Sequence, residues 1–273
     1  MAKKNITKWK IIKDEKTGLE GVVNEKGKWV IEPEYAKVES ITKEGFFSEI
    51  ITTEEGIFKV QDPRTDLFGL INEKRECIKE PQFRYIFRFA KNGLAAAQNA
   101  WPKLYGYINK KGDWAIEPKF SQANEFNKDG LAIANDSETG LNGFINEKGE
   151  WVVEPRFKKI YWNFDTNGLA CVNDPDTGRW GFINKKGDWA IMPKYKEAYG
   201  FFGNVWAPVL SVRPAKWGMI NKKGEWMVEP KYKRDKYNTT FEGKPVFVDP
   251  DTNEEGYFDK KGMWTHWERP SHW

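Results

Sequence analysis

Gly143-Phe144-Ile145-Asn146-Glu147-Lys148-Gly149-Glu150-Trp151-Val152-Val153-Glu154-Pro155 reads as a strand, a tight turn, a second strand and a stop. Asn-x-Lys-Gly between two β-rich runs is a hairpin signal. The Asn side chain accepts a hydrogen bond from the turn backbone. The glycine takes a positive φ at no steric cost, as a type I turn followed by a bulge requires. Proline has no N–H to give a ladder, so pairing is expected to end at Pro155. The same phrase opens at Gly21, Gly69, Gly106, Gly143, Gly181, Gly218 and Gly256, which makes seven copies.

Five residues after each opening glycine stands a lysine: Lys26, Lys74, Lys111, Lys148, Lys186, Lys223 and Lys261. Eight residues after it stands Trp29, Trp114, Trp151, Trp189, Trp226 or Trp264, with Cys77 as the exception. In the second copy Arg75 takes the place of the turn glycine, so a distorted turn is expected there. Working outward, a short apolar strand precedes each phrase, as in Leu131-Ala-Ile-Ala134. Ala95, Ala132, Ala170 and Ala207 each lie eleven residues before an opening glycine, and a repeated small residue implies close packing of neighbouring units. Phe89, Phe126 and Phe164 occupy equivalent places in the connectors. Each unit therefore reads as a three-stranded meander followed by a connector that carries aromatics.

The first two openings are 48 residues apart and the later ones 37 or 38, which marks residues 1–273 as one repeat array. The extra residues fall between Lys37 and Val60, where a longer hairpin or loop is expected. The seventh copy decays after Trp264, and Arg269 to Trp273 reads as a cap or frayed end. Hydrophobic residues make up 39% and charged residues 31%, a balance suited to a thin-cored, well-solvated repeat protein. A buried aromatic removes about 150–250 Å² from water, so the six aligned tryptophans are expected to supply much of the core.

Cys77 and Cys171 fall at non-equivalent positions and are expected to be free thiols, as a reducing compartment favours. The N-terminus has no apolar run long enough for a signal peptide, and no stretch is long and apolar enough to span a membrane. Cytoplasmic residence is the expectation, with signal-independent secretion as the alternative. The formal net charge of +4 comes from interspersed Lys and Asp/Glu, which is no signature of nucleic-acid binding.

Trp180-Gly181-Phe-Ile-Asn-Lys-Lys-Gly187-Asp-Trp189-Ala-Ile-Met-Pro193 and Trp217-Gly218-Met-Ile-Asn-Lys-Lys-Gly224-Glu-Trp226-Met-Val-Glu-Pro230 resemble the bacterial WG repeat, also called the KWG repeat. The resemblance covers about residues 8 to 268. The Trp-Gly pair itself survives only in these two copies. The resemblance implies a β-repeat array of variable copy number, usually assigned to binding, with no common reaction and no catalytic residues to carry over. The fold expected is all-β: seven tandem antiparallel β-meander repeats in an open β-solenoid or superhelical stack, with a seven-bladed β-propeller as the alternative.

Three columns hold candidate chemistry. Aligned lysines on one edge would form a basic stripe able to track a polyanion. Lysine is also an ordinary solvated turn residue, and acidic neighbours such as Glu25, Glu147 and Asp188 weaken the stripe. Aligned indoles would stack on sugars or bases if exposed, but alternation puts Trp151 on one face with Val153 and opposite Glu154, which favours burial. The glutamates before proline form a row of equivalents, whereas a glycosidase needs one defined pair. Asp174-Pro-Asp176-Thr-Gly178 reads as a β-turn because it lacks the further ligands of a calcium loop. There is no Cys/His cluster with zinc spacing, no phosphate loop and no nucleophile elbow. These readings predict no enzyme, no metal and no cofactor. They predict a repeat scaffold whose partner is another protein, with nucleic acid or a glycan, met through the lysine column and aromatic residues, as the alternative. No membrane partner is expected, and the sequence leaves the oligomeric state open.

Overall fold

Each Asn-x-Lys-Gly turn closes in the same way. In the third repeat the Asn109 carbonyl accepts from Gly112 N at 2.9 Å, and Asn109 Oδ1 accepts from the backbone N–H groups of Lys111 and Asp113 at 2.8 and 3.2 Å. Gly112 sits at φ 73°, a conformation open to glycine because it has no Cβ. A computed structural model describes residues 8–41, 51–52, 56–72, 74–161, 164–165, 168–203, 205–235, 240–241, 244–259 and 261–268 of the chain. Among these residues there is no helix, and all regular structure is antiparallel strand.

The meander recurs seven times. Its leading strand, for example Ala95–Asn99, pairs with a first hairpin strand, Tyr105–Ile108, which pairs with a second, Trp114–Ala123. Pro118 lies inside that second strand, so pairing does not end at the proline as expected. Tyr105 faces Phe120 and Tyr107 faces Ile116, which leaves Gly106 alone opposite Glu117-Pro118-Lys119. The proline occupies a bulge, where no ladder bond is asked of it. The same register shift occurs around Pro33, Pro81, Pro193 and Pro230. The seventh repeat has Glu268 in place of the proline, and there Gly256 pairs directly with His266 without a shift.

The close approach of the second strand explains the opening glycine. A Cβ on Gly106 would press on the Ile116 carbonyl oxygen and lie 2.8 Å from Pro118 N. In all seven copies it would come within 3.0 Å of backbone in the second strand. Beyond the bulge the strand turns to the next repeat: Phe120 and Ala123 pair with Asp136 and Ala134, and Phe83 and Ile86 with Asn99 and Ala97.

Contacts group the chain into two compact units: Met1–Gly140 with Ile145–Glu150, and Leu141–Phe144 with Trp151–Trp273. In the first unit the turn glycines rest on the preceding repeat, Gly112 over Lys79 and Gly149 over Ile116. Its core gathers Phe68, Leu70, Phe83, Ile86, Phe89, Ala95 and Ala97. In the second unit Gly187 rests over Val153 and Gly224 over Ile191. Cys171, Trp180, Phe182, Ile191, Tyr195, Ala207 and Val209 form one of its clusters, and Trp206, Trp217, Met219, Tyr232, Phe247 and Phe258 another.

Two further expectations need correction or bounds. Arg75 does not distort its turn: it adopts φ 69° and keeps the hydrogen bond from its N–H to the Asn72 carbonyl at 3.0 Å. Tight closure by Asn72 outweighs the steric cost of a side chain in the left-handed region, about 1–2 kcal/mol. Of the extra residues between Lys37 and Val60, Lys37–Ser40 pairs with Phe58–Gln61, and Ile51–Thr52 pairs with the leading strand Lys8–Lys13 of the first repeat. Residues 42–50 and 53–55, and the tail 269–273, lie outside the described residues.

Candidate functional site

The lysine column does what the turn requires. All seven lysines are exposed. The backbone N–H of each donates to the turn's Asn or Asp side chain, at 3.0 Å for Lys26 and 2.8–2.9 Å for Lys74, Lys111, Lys148, Lys186, Lys223 and Lys261. Acidic side chains join the same turns: Asn72, Asn146 and Asn221 donate to Glu76, Glu150 and Glu225 at 2.6–2.8 Å. Each turn therefore carries both signs of charge. Asp174 likewise closes a turn, accepting from Thr177 Oγ1 at 2.5 Å and, by its carbonyl, from Gly178 N at 2.9 Å.

The repeat tryptophans are not central core residues. Trp29, Trp114, Trp151, Trp189 and Trp264 are half-buried and Trp226 is exposed; the fully buried aromatics include Phe83, Phe120 and Phe157. The indoles of Trp29, Trp189, Trp226 and Trp264 lie across their own opening glycines. Several also turn edge-on to the aromatic that follows the preceding repeat's proline: Trp114 to Phe83 at 5.3 Å, Trp189 to Phe157 at 5.8 Å and Trp226 to Tyr195 at 6.0 Å.

A second aromatic row was not foreseen. It joins the aromatic residue before four of the opening glycines to rings in the connectors. In the first unit Phe68, Tyr85, Phe87 and Tyr105 follow one another at 6.4, 4.7 and 6.2 Å. The buried Lys59 ammonium lies 4.8 Å from the Tyr85 ring and pairs with Glu39 at 2.8 Å. In the second unit Tyr161 stacks on Trp180 at 4.4 Å and on Tyr199 at 5.9 Å, and Tyr199 meets Trp217 at 5.6 Å. The inner rings Phe68, Trp180 and Trp217 are buried, while Tyr85, Phe87 and Tyr161 are 41%, 37% and 42% exposed. The aromatic residue before glycine in four copies, Phe68, Tyr105, Trp180 and Trp217, was the sequence signal for this row.

The second unit also holds an open pocket of about 410 Å³, lined by Lys194, Tyr195, Ser211, Val212, Arg213 and Trp226. Tyr195 is 2% exposed, and its hydroxyl has no hydrogen-bond partner among the described residues. Burial raises that phenol to about 12, so it stays protonated. The Lys194 ammonium lies 5.4 Å from the Tyr195 ring centre.

No group of three or more His, Cys, Asp or Glu side chains is placed to hold a metal among the described residues. The thiols of Cys77 and Cys171 are free, and burial pushes both upward, with Glu80 adding to the effect at Cys77. Among the described residues no helix is long and apolar enough to cross a membrane.

The sequence model of the WG containing repeat family matches residues 21–48, 68–99, 105–136, 143–174, 180–210 and 217–234. The copy opening at Gly256 lies outside these matches, although its hairpin forms. No curated protein matches the chain. Among solved structures, Kluyveromyces lactis Hsv2p is similar at 10% identity and TM-score 0.43, over 93% of this chain and 91% of that one. A prolyl endopeptidase is similar at 11% identity and TM-score 0.41, over 97% of this chain and 49% of that one. A protein of unknown function from Bacteroides caccae is similar at 12% and 0.29, over 82% and 93%. None of these likenesses is strong enough to bear on what this chain does.

Proposed function

The chain belongs to the WG containing repeat family, and from that premise we propose that it is a non-catalytic repeat scaffold whose task is to bind another protein. The observation that carries the reading is the aromatic row. Its inner rings are buried, and its outer rings, Tyr85 and Phe87 in one unit and Tyr161 in the other, pack against neighbouring rings yet stay exposed. Rigid tyrosines present large amphipathic area at little entropic cost, which is why aromatic residues dominate the energetics of protein interfaces. Val152, Met192 and Met227, exposed on the outward side of second hairpin strands, add apolar surface, adaptable at the two methionines. The turn lysines fit a polyanion less well, because carboxylates share four of their turns.

A photo-crosslinking residue placed at Tyr85, at Tyr161 or, as a control, at Lys111 tests the reading in host cells. The expected outcome is one protein captured from Tyr85 or Tyr161 and not from Lys111. Capture that is equal at all three positions, or strongest from Lys111, counts against it.

A further inference from the structure

Comparing the repeats with one another isolates a site. Five residues after the repeat tryptophan stands a cation in four successive repeats: Lys119, Arg156, Lys194 and Lys231. Three of the four find an internal acceptor in the following repeat. Lys119 donates to the Gly149 carbonyl at 2.9 Å, and Arg156 donates to the Gly187 carbonyl. Lys231 pairs with Asp249 and Asp251 at 3.1 and 2.9 Å.

Asp249 opens the turn seven residues before Gly256, and Asp14, Asp62, Asp136 and Asp174 hold the same place in other repeats. The equivalent of Asp249 facing Lys194 is Ser211. The carboxylate that answers Lys231 is therefore replaced by a hydroxyl opposite Lys194. Two residues on, where the seventh repeat has Asp251, stands a second cation, Arg213. Neither Lys194 nor Arg213 has an acidic partner among the described residues, and no acidic side chain lines the pocket they share. Tyr195, in the same lining, carries an unpartnered hydroxyl at a position held by Phe83, Phe120 and Phe157 in three repeats and by Tyr35 and Tyr232 in two others. The exposed indole of Trp226 completes the wall.

The geometry points to a ligand site in this pocket for a small oxyanion, a carboxylate or a phosphate monoester, borne on a flat apolar body. The oxyanion takes the place that the Asp249 carboxylate takes in the next repeat, between Lys194 and Arg213. The body of the ligand lies against Trp226. The volume is in the range of small-molecule sites, and Arg and Lys are the groups that recognise such anions. Ser211 supplies a hydroxyl donor. This site is separate from the aromatic row and does not depend on the protein-binding role.

Calorimetric titration of the full chain tests it, with phenylacetate and phenyl phosphate as the two anionic probes and benzyl alcohol as the neutral one. At least one anion is expected to bind one-to-one, and the indole N–H signal of Trp226, identified by its loss in Trp226→Phe, is expected to shift. Arg213→Gln or Lys194→Gln is expected to weaken that binding about tenfold or more, as loss of a charge-assisted hydrogen bond does. Ser211→Asp, which restores the carboxylate found in five other repeats, is expected to abolish it while the protein stays folded. The inference is overturned by the absence of anion binding at about 10 mM, a very weak affinity. It is also overturned by binding that survives Ser211→Asp, or by benzyl alcohol binding as tightly as the anions.

Discussion

Replacing Gly106 by alanine should be far more damaging than replacing a turn glycine whose backbone conformation is the more unusual. A methyl at Gly106 would press on the Ile116 carbonyl and lie 2.8 Å from Pro118 N and 2.9 Å from Glu117 C, all backbone atoms of the bulge. Flexible side chains yield cheaply, but backbone does not. The second strand has to move outward, which loosens the pairs Tyr105–Phe120 and Tyr107–Ile116 on either side. Losing two ladder hydrogen bonds costs about 2 kcal/mol at roughly 1 kcal/mol each, and overpacking strain adds about 1–3 kcal/mol. The sum, about 3–5 kcal/mol, is a large part of the 5–15 kcal/mol by which domains are typically stable. Gly140 is the internal control: its φ is 71°, but an added Cβ meets nothing within 4 Å. Gly140→Ala should cost only the left-handed penalty of about 1–2 kcal/mol. Urea titrations of the two variants, compared at unchanged slope, read the difference. If Gly106→Ala costs no more than Gly140→Ala, the claim that the bulge excludes a Cβ is wrong.

Three further outcomes follow from single residues. Arg75→Gly should stabilise the protein by about 0.5–1 kcal/mol, because relief of the left-handed strain exceeds the added chain entropy of glycine; a lower urea midpoint contradicts this. Tyr195→Phe should leave the unliganded protein as stable or raise it by about 1 kcal/mol, since it removes a buried hydroxyl with no partner; a loss above that size in thermal unfolding would show a partner the structure does not have. Asp62 and Asp136 are held below the usual carboxylate range, Asp62 by the backbone N–H groups of Thr65 and Arg64, Asp136 by the hydroxyl and N–H of Thr139. A lowered folded value means that their stabilisation is whole above the unfolded value of about 3.9 and is lost as pH falls through the folded one. The urea midpoint should therefore drop as the pH falls below the unfolded value of about 3.9, and less steeply in Asp136→Asn, whose amide keeps the acceptor without titrating.

The hairpins were legible because their signals are local. Asn109 and Gly112 fix a turn within four residues, and alternation along Trp151-Val-Val-Glu154 gives the half-buried, exposed, buried, exposed pattern that the strand adopts. The bulge was not legible, because it belongs to two strands at once. Pro118 alone says stop, and only its juxtaposition with Gly106, which has no Cβ, lets the chain continue. The tryptophans misled for a related reason. Trp114 reaches back to Phe83, so it is shared between neighbours and is only partly buried. Arg75 shows that a tight Asn-capped turn tolerates a residue that propensity alone would reject. The pocket is written in one absence, Ser211 in a column that elsewhere holds Asp14, Asp62, Asn99, Asp136, Asp174 and Asp249, which carries meaning only once the columns are known to touch.

The most direct test of the repeat geometry is a proton–proton NOE experiment at the third repeat. The account predicts a strong cross-peak between a Gly106 α-proton and the δ-protons of Pro118, together with cross-strand contacts between Tyr105 and Phe120 beyond the proline. Absence of the Gly106–Pro118 cross-peak, with Phe120 showing no contact to Tyr105, would mean that the strand stops at the proline and that the bulge does not exist.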